Sequence, residues 1–459
     1  MKRIPLCLML LLLSVACTPR RPPPLSPTEL TGRATPTVTP TPLAVALVAP
    51  TEALEPTVRV APDDPGGVET EITARQRRIF EQLWNTINTQ YVYPDFGGVD
   101  WNAVYAEFSA RIDDGLSDEG FWQAMREMID RLDDDHSTFL TPLEAHEEDA
   151  QLQGDLRYTG IGVYAATQLD KRQAVIFSVF PGSPAEEAGL RPHDAILAIE
   201  GRQIGDDTDG PDALDVLRGP SGTQIAIRVR SPGQTPREVR VTRRPIDGVL
   251  QATGRAFELD AGARVGYLMV PTLWDAAIET STRQTLTALM AGGPLDSLII
   301  DMRVNGGGVS TNLLALLGFF TSGQHGEFAS REGARPLTVA PDPIGNSPDV
   351  PLVILISPDT ESYAEVFSGV LREAGRARLV GLPTAGNIET IYGYNFEDGS
   401  RAWIARETFI PRSGDQWEDV GLTPDVVVAV NWDEFTEVDD PYLAAAVELL
   451  ATTETATPR

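Results

Sequence analysis

Lysine is nearly absent from this chain: of 459 residues only Lys2 and Lys171 carry an amine side chain, every other basic residue being arginine. Any reaction that needs a lysine base therefore has two places to find one. Cysteine is equally scarce, with Cys7 and Cys17 both at the extreme N-terminus, so the body of the chain has no internal disulfide and no thiolate metal site. The four histidines are His136, His146, His193 and His325. His146, in AHEED, lacks the second histidine of a zinc-protease motif. Asp133 to Asp135 have no further ligand-spaced acids and read as a solvated helix end. No metal and no cofactor is expected. Basic residues are outnumbered 37 to 66, and the net charge of -29 argues against nucleic acid as a partner.

What is present begins with MKRIPLCLMLLLLSVAC, a basic start and a short apolar run ending in small residues and a cysteine, which reads as an export signal. Ser-Val-Ala-Cys resembles a bacterial lipobox, with Ser14 where leucine is usual; lipidation at Cys17 is expected, a plain secretory signal being the alternative. Residues 18–71 are rich in Pro and Thr and read as an extended linker. The chain is thus expected in the cell envelope, periplasmic or on the extracellular face, with a lipid anchor as its sole membrane contact.

Residues 72–151 carry helical periodicity. Thr73 and Gln76 stand at capping-box spacing before the stripe Ile79, Leu83, Ile87 and Tyr91, and Ser117 is the expected cap of the helix bearing Met125, Met128 and Leu132. Residues 152–246 read as short strands with glycine turns. From 247 to 440 strands alternate with helices (SLIIDMR then VSTNLLALLGFF, PLVILIS then SYAEVFSGVL), which predicts an α/β layer with largely parallel strands. A hairpin is expected around Asp398-Gly399, and residues 441–459 form a closing helix and tail.

Two strand-to-helix junctions could carry chemistry. In IIDMRVNGGGVS, glycines let a backbone approach a bound group and aim N–H donors at it; a tight turn, a phosphate loop without its Gly-Lys-Ser/Thr, and an oxyanion hole are the three readings. Ser362 opens the helix after PLVILISPDTE. Alone it reads as an N-cap with Glu365 at the capping-box position, although the helix dipole would also favour an oxyanion there.

Taken in order, VDWNAVY, LDDDHSTFL, YTGIGVYA, FPGSPAEEAGLRPHDAILAIEG, LIIDMRVNGGG, SYAEVFSGVLREAG and VGLTPDVVV resemble the carboxyl-terminal processing (tail-specific) serine proteases over nearly all of the chain beyond the linker. The resemblance implies a crotonase/ClpP-like α/β protease core, an N-terminal helical segment and an inserted PDZ domain at 152–246. It implies Ser362 as nucleophile, with Gly307 or Gly308 and the Tyr363 N–H as oxyanion donors. Gly160, Ile161, Gly162 and Val163 would form the PDZ loop that receives a peptide's C-terminal carboxylate. Polypeptides, held by their C-termini, are the implied substrates.

One position breaks the pattern. The family's lysine base falls on Asn387, in PTAGN, and an amide cannot serve as a base near neutral pH. Lys2 lies in the leader and Lys171 in a turn of the PDZ module. By resemblance to the tricorn core protease-like branch, His136 is the expected base and Glu418 the carboxylate that orients it, a Ser-His-Glu site. Bulky Tyr363 is expected beside the nucleophile, His193 at the surface, and His325 without a role. A reading of another class stays open: an inactive protease retained as a PDZ peptide-binding scaffold.

Overall fold

A computed structural model describes residues 67–454, apart from Asp135 and residues 153–156, 206–213 and 260–261. The leader, Cys17 and residues 18–66 of the expected linker lie outside the described residues. The first helix, Gly67–Gln90, begins earlier than expected, so Thr73 stands inside it and caps nothing. Gln76 is buried, its amide donating to the Leu116 carbonyl at 3.1 Å. Ser117 does cap the Asp118–Ile129 helix, accepting from the Gly120 N–H at 3.1 Å.

These helices pack Phe80, Leu83, Ile87, Phe108, Met125 and Met128 against Phe396, Ala402, Ile404 and Ala405 of the C-terminal hairpin. The hairpin is the expected one: Thr390–Asn395 pairs antiparallel with Arg401–Ile410 around Asp398 and Gly399. Thr138–Leu140 joins its far edge, Thr138 opposite Trp403. The loop just before Thr138 therefore reaches the hairpin, although the two are remote in sequence.

Between these pairing partners lies the β-rich module. Its main sheet runs Val163–Gln168, Gln173–Val179, Ala195–Ile199, Gln224–Arg230 and Arg237–Thr242 in that spatial order, all antiparallel, with Val163–Gln168 at an edge. Arg157–Gly160 and Arg244–Asp247 pair with each other, so the chain enters and leaves the module side by side, as an inserted domain requires. Its back face docks on the rest of the chain through Tyr164, Phe177, Val304 and Trp432. His193 belongs to this contact and not to the surface: it is 3 % exposed, stacked on Trp432 at 4.2 Å, its Nδ1 2.7 Å from the Trp432 carbonyl oxygen. Desolvation pushes its pKa down.

The α/β alternation gives one sheet in the order Thr253–Glu258, Arg264–Met269, Ser297–Asp301, Leu352–Ile356, Ala377–Gly381, Val426–Val427; the first pair is antiparallel and the others parallel. Strand alternation sorts the core. Leu298, Ile300, Leu352, Ile354 and Ile356 meet the helices Ile278–Met290, Ser310–Phe320 and Tyr363–Glu373. Ile299, Val353 and Leu355 meet the closing helix Pro441–Glu454 on the other face.

In the Tyr363–Glu373 helix, Gly369 lies so close to the Trp417 ring that a Cβ would come within 2.3 Å of it. A mid-helix Gly→Ala exchange ordinarily stabilises by about 1 kcal/mol. Here overpacking reverses the sign: Gly369→Ala is expected to lower stability by about 1–3 kcal/mol in urea unfolding. A stabilised variant would refute the packing.

Candidate active site

Ser362 sits where the Leu352–Ile356 strand turns into its helix, at φ 55° and ψ -128°, a conformation costly for a residue with a Cβ. Its environment holds it there. The Ser362 N–H is shared between the Asn387 carbonyl at 2.9 Å and Glu365 Oε2 at 3.2 Å. Glu365, fully buried, also accepts from Thr384 Oγ1 at 2.5 Å and from the N–H groups of Gly386 at 2.8 Å and Asn387 at 2.9 Å. The helix's Glu365 N–H goes to the Ser362 carbonyl at 2.9 Å, so the serine hydroxyl makes no cap bond. The capping box that the sequence predicts is present, but the Glu365 N–H bonds the Ser362 carbonyl and not its Oγ.

The glycine turn is tied to the same loop. Ser357 Oγ donates to the Arg303 carbonyl at 2.6 Å, Thr360 Oγ1 to the Met302 carbonyl at 2.9 Å, and the Glu361 N–H to the Asn305 carbonyl at 3.0 Å. Gly307, at φ 86°, is needed for this approach, since a Cβ there would lie 2.6 Å from Ser362 Cβ and 3.0 Å from its Oγ. As an oxyanion donor, however, Gly307 is excluded: its N–H is spent on Asn305 Oδ1 at 2.9 Å. Gly308 is half-buried, and among the described residues neither its N–H nor that of Tyr363 has a hydrogen-bond partner. The Tyr363 side chain does not crowd the serine; it is buried, its hydroxyl 3.0 Å from Thr390 Oγ1.

His136 arrives on the loop before Thr138. Asp134 holds that loop: Oδ1 accepts the N–H groups of His136 at 2.8 Å and Ser137 at 3.2 Å, and Oδ2 the Ser137 hydroxyl at 2.6 Å. Asp134 is thus a buried brace, not part of a solvated helix end. The His136 ring puts Nδ1 3.1 Å from Oε2 of Glu389, which is 2 % exposed. Glu389 lies two residues beyond Asn387, whose carbonyl holds the serine loop. Serine and histidine are therefore anchored to one short segment, and Nε2 is the ring nitrogen left for chemistry.

Glu418, the expected partner of His136, stands behind Glu389 instead. It accepts the Ile388 N–H at 3.0 Å, and burial together with the Glu389 charge raises its pKa to about 10. Glu389, and not Glu418, is the carboxylate in contact with the His136 ring. Tyr93 closes the cluster, its phenol pushed far above its usual value by burial and by Glu389. Glu389 had one sequence signal: alternation along NIET puts 387 and 389 on the same side of an extended segment.

Among the described residues no lysine reaches the site. Lys171 bonds Asn431 Oδ1 at 2.9 Å in the module contact, and Lys2 lies outside the described residues. His146 is exposed on the Pro142–Leu152 helix, and His325 Nε2 bonds the Ser322 carbonyl at 3.0 Å.

Residues 160–163 form the loop leading into the module's edge strand. The Ile161 and Gly162 carbonyls are fixed by the N–H groups of Ala185 at 2.8 Å and Phe180 at 3.0 Å. Gly162, at φ 85°, leaves no room for a Cβ, which would lie 2.3 Å from Ser183 Cβ. The loop opens on a cleft of about 880 Å³, lined by residues 161–165, Phe180 and Leu217 of the module and by Thr272, Trp274 and Asp275 across from it. Leu273, between these last residues, pairs with the glycine turn: its N–H donates to the Gly307 carbonyl at 2.8 Å and its carbonyl accepts from Val309 at 3.0 Å. The cleft and the serine share one wall.

Residues 264–428 match the Peptidase family S41 model, 73–130 the Tricorn protease C1 domain and 175–231 a PDZ domain. The carboxyl-terminal-processing protease of Synechocystis sp. is 27 % identical over 386 residues, 82 % of this chain and 87 % of that one. Its counterpart from Picosynechococcus sp. is 28 % identical over 362 residues, 76 % and 82 % of the two chains. In fold, the chain is similar to the photosystem II D1 C-terminal processing protease, with a TM-score of 0.58, 24 % identity and coverage of 77 % and 93 %.

The Glu418 carboxyl makes stability depend on pH. Its pKa rises from 4.5 to about 10 on folding, so its contribution is whole below about 4.5 and is withdrawn as pH climbs toward 10. Glutamine at 418 stays neutral throughout. Between pH 5 and 9 the wild type should lose stability relative to Glu418→Gln, by on the order of 1 kcal/mol per pH unit at the steepest. Parallel Tm profiles would show that Glu418 is ionised in the folded chain.

Proposed function

Since the chain belongs to peptidase family S41, whose carboxyl-terminal-processing members are serine peptidases, we propose that it is an endopeptidase whose base is His136, oriented by Glu389 in place of a lysine. The observation that carries this is the 3.1 Å contact of His136 Nδ1 with buried Glu389, beside a lysine position filled by Asn387. Ser362 Oγ adds to the scissile carbonyl carbon as its proton passes to His136 Nε2. The N–H groups of Gly308 and Tyr363 hold the oxyanion. On collapse the C–N bond breaks and the imidazolium returns the proton to the leaving amine; water, activated by the same ring, then releases the acyl group. Glu389 stabilises the imidazolium, and neutral Glu418 keeps Glu389 in place.

The core is, on this reading, of the crotonase/ClpP-like kind. The PDZ loop Gly160, Ile161, Gly162 and Val163 receives a substrate's C-terminal carboxylate while the peptide adds to the outer edge strand Val163–Gln168, so that the held chain follows the cleft toward Thr272 and Trp274. The leader and the linker support export and anchoring through a lipid on Cys17. Fatty-acid labelling should mark the wild type and not Cys17→Ser; equal labelling of both would refute the anchor.

A fluorophosphonate probe should label Ser362, and Ser362→Ala or His136→Ala should lose on the order of 10⁴-fold in peptide hydrolysis with the fold intact. An unlabelled serine would favour a PDZ scaffold without catalysis. Glu389→Gln should cost on the order of 10²-fold or more, while Glu418→Gln, which keeps a neutral side chain, should cost less than about tenfold. The reverse ranking would restore Glu418 as the orienting carboxylate.

A further inference from the structure

Four carboxylates line the cleft, Glu147, Glu148, Asp215 and Asp275; Glu147 faces Arg218 at 3.5 Å, and Glu148 is held by Arg401 at 2.7 Å and by the Trp403 indole N–H. Asp275 is different. It is 3 % exposed, and Oδ1 accepts the Ala277 N–H at 2.8 Å, but Oδ2 is buried without a hydrogen-bond partner and no cation pairs with the group among the described residues. A desolvated carboxylate oxygen with no donor is costly, and folded proteins ordinarily supply one.

The segment is held in place as a binding wall would be. Asn312 Nδ2 donates to the carbonyls of Leu273 at 2.8 Å and Asp275 at 3.0 Å, and the Trp274 N–H donates to Thr272 Oγ1 at 3.0 Å. Leu273 stands opposite Gly308, so Asp275 is two residues, roughly 7 Å of extended chain, from the glycine turn. The half-buried Trp274 ring beside it lines the same cleft. A carboxylate lacking a cation and an indole face together suit a guanidinium or ammonium group. The charge of -29 would draw cationic chains toward the cleft.

We propose that Asp275 and Trp274 form a subsite for a basic side chain, Arg or Lys, of the polypeptide substrate, within a few residues of the bond that Ser362 cleaves. This rests on the serine peptidase reading above. The charged head pairs with the Asp275 carboxylate, whose Oδ2, buried in the unliganded chain, turns toward the cleft to meet it, and its stem lies against Trp274.

The test uses N-acetylated peptides of one sequence carrying Arg, Lys, Gln or Leu at each position flanking the cleaved bond, with the full-length wild type and Asp275→Asn. At one position the wild type should favour Arg or Lys over Gln by roughly tenfold or more in kcat/KM, and Asp275→Asn should bring that ratio to within about twofold. Trp274→Leu should lower the same ratio, which guards against a folding defect of the first variant. No basic preference in the wild type, or a preference unchanged in both variants, overturns the subsite. A preference seen only with unacetylated peptides overturns it too, in favour of an α-amine site. Fluorescence anisotropy of the same peptides on Ser362→Ala reads the subsite without turnover. Basic-selective binding with no cleavage by the wild type would sink the peptidase reading alone, and cleavage without basic selectivity the subsite alone.

Discussion

Four donors converge on the buried carboxylate of Glu365: the Ser362, Gly386 and Asn387 N–H groups and the Thr384 hydroxyl. Burial raises the pKa of this group, and those four bonds oppose the rise. The clamp fixes two things together. It holds the serine in its left-handed turn, and it sets the course of residues 384–389, from which Glu389 reaches His136. Thr384 extends it by accepting the Leu422 N–H at 2.6 Å, which binds in the segment leading to the last strand of the sheet. Because three of these bonds come from residues 384–387 and the fourth from the serine's own N–H, distortion of that one segment is felt at the serine.

A second buried centre lies behind the glycine turn. Arg303 pairs with Asp301 at 2.5 Å and Asp440 at 2.7 Å, with the rings of Trp432 and Tyr442 stacked around its guanidinium. Trp432 also donates its indole N–H to Ile176 of the PDZ module at 3.0 Å. The residue that leads into the glycine turn is thus ringed by the closing helix and by the segment on which the module rests.

What could be read in the sequence was what depends on local pattern or on absence. The alternating strands and helices, the Ser117 cap and the hairpin at Asp398-Gly399 are short-range signals, and the lysine count alone removed the family's usual base. Ser362 and His136 were singled out through motif order. The choice between Glu389 and Glu418 was not legible, since both are buried glutamates near the same strands and only the course of the 384–389 segment brings Glu389 to the His136 ring. Gly307 and Gly308 differ only in which N–H Asn305 occupies, a matter of turn geometry. His193 was misplaced because a docking partner, Trp432, comes from a distant part of the chain. Thr73 looked like a cap because capping-box spacing recurs inside helices.

The pairing of Thr138–Leu140 with Arg401–Ile410 gives the molecule a built-in order of events. The loop bearing His136 comes early in the chain, yet the strand that seats it is made almost last, after the inserted module and most of the α/β sheet. Contacts so far apart in sequence form late in folding, once loop closure has been offset by the rest of the core. During synthesis, serine and histidine remain on unjoined parts of the chain until that strand is in place. The arrangement acts as a timer: Ser362 and His136 come to one segment only after residues 401–410 have been made.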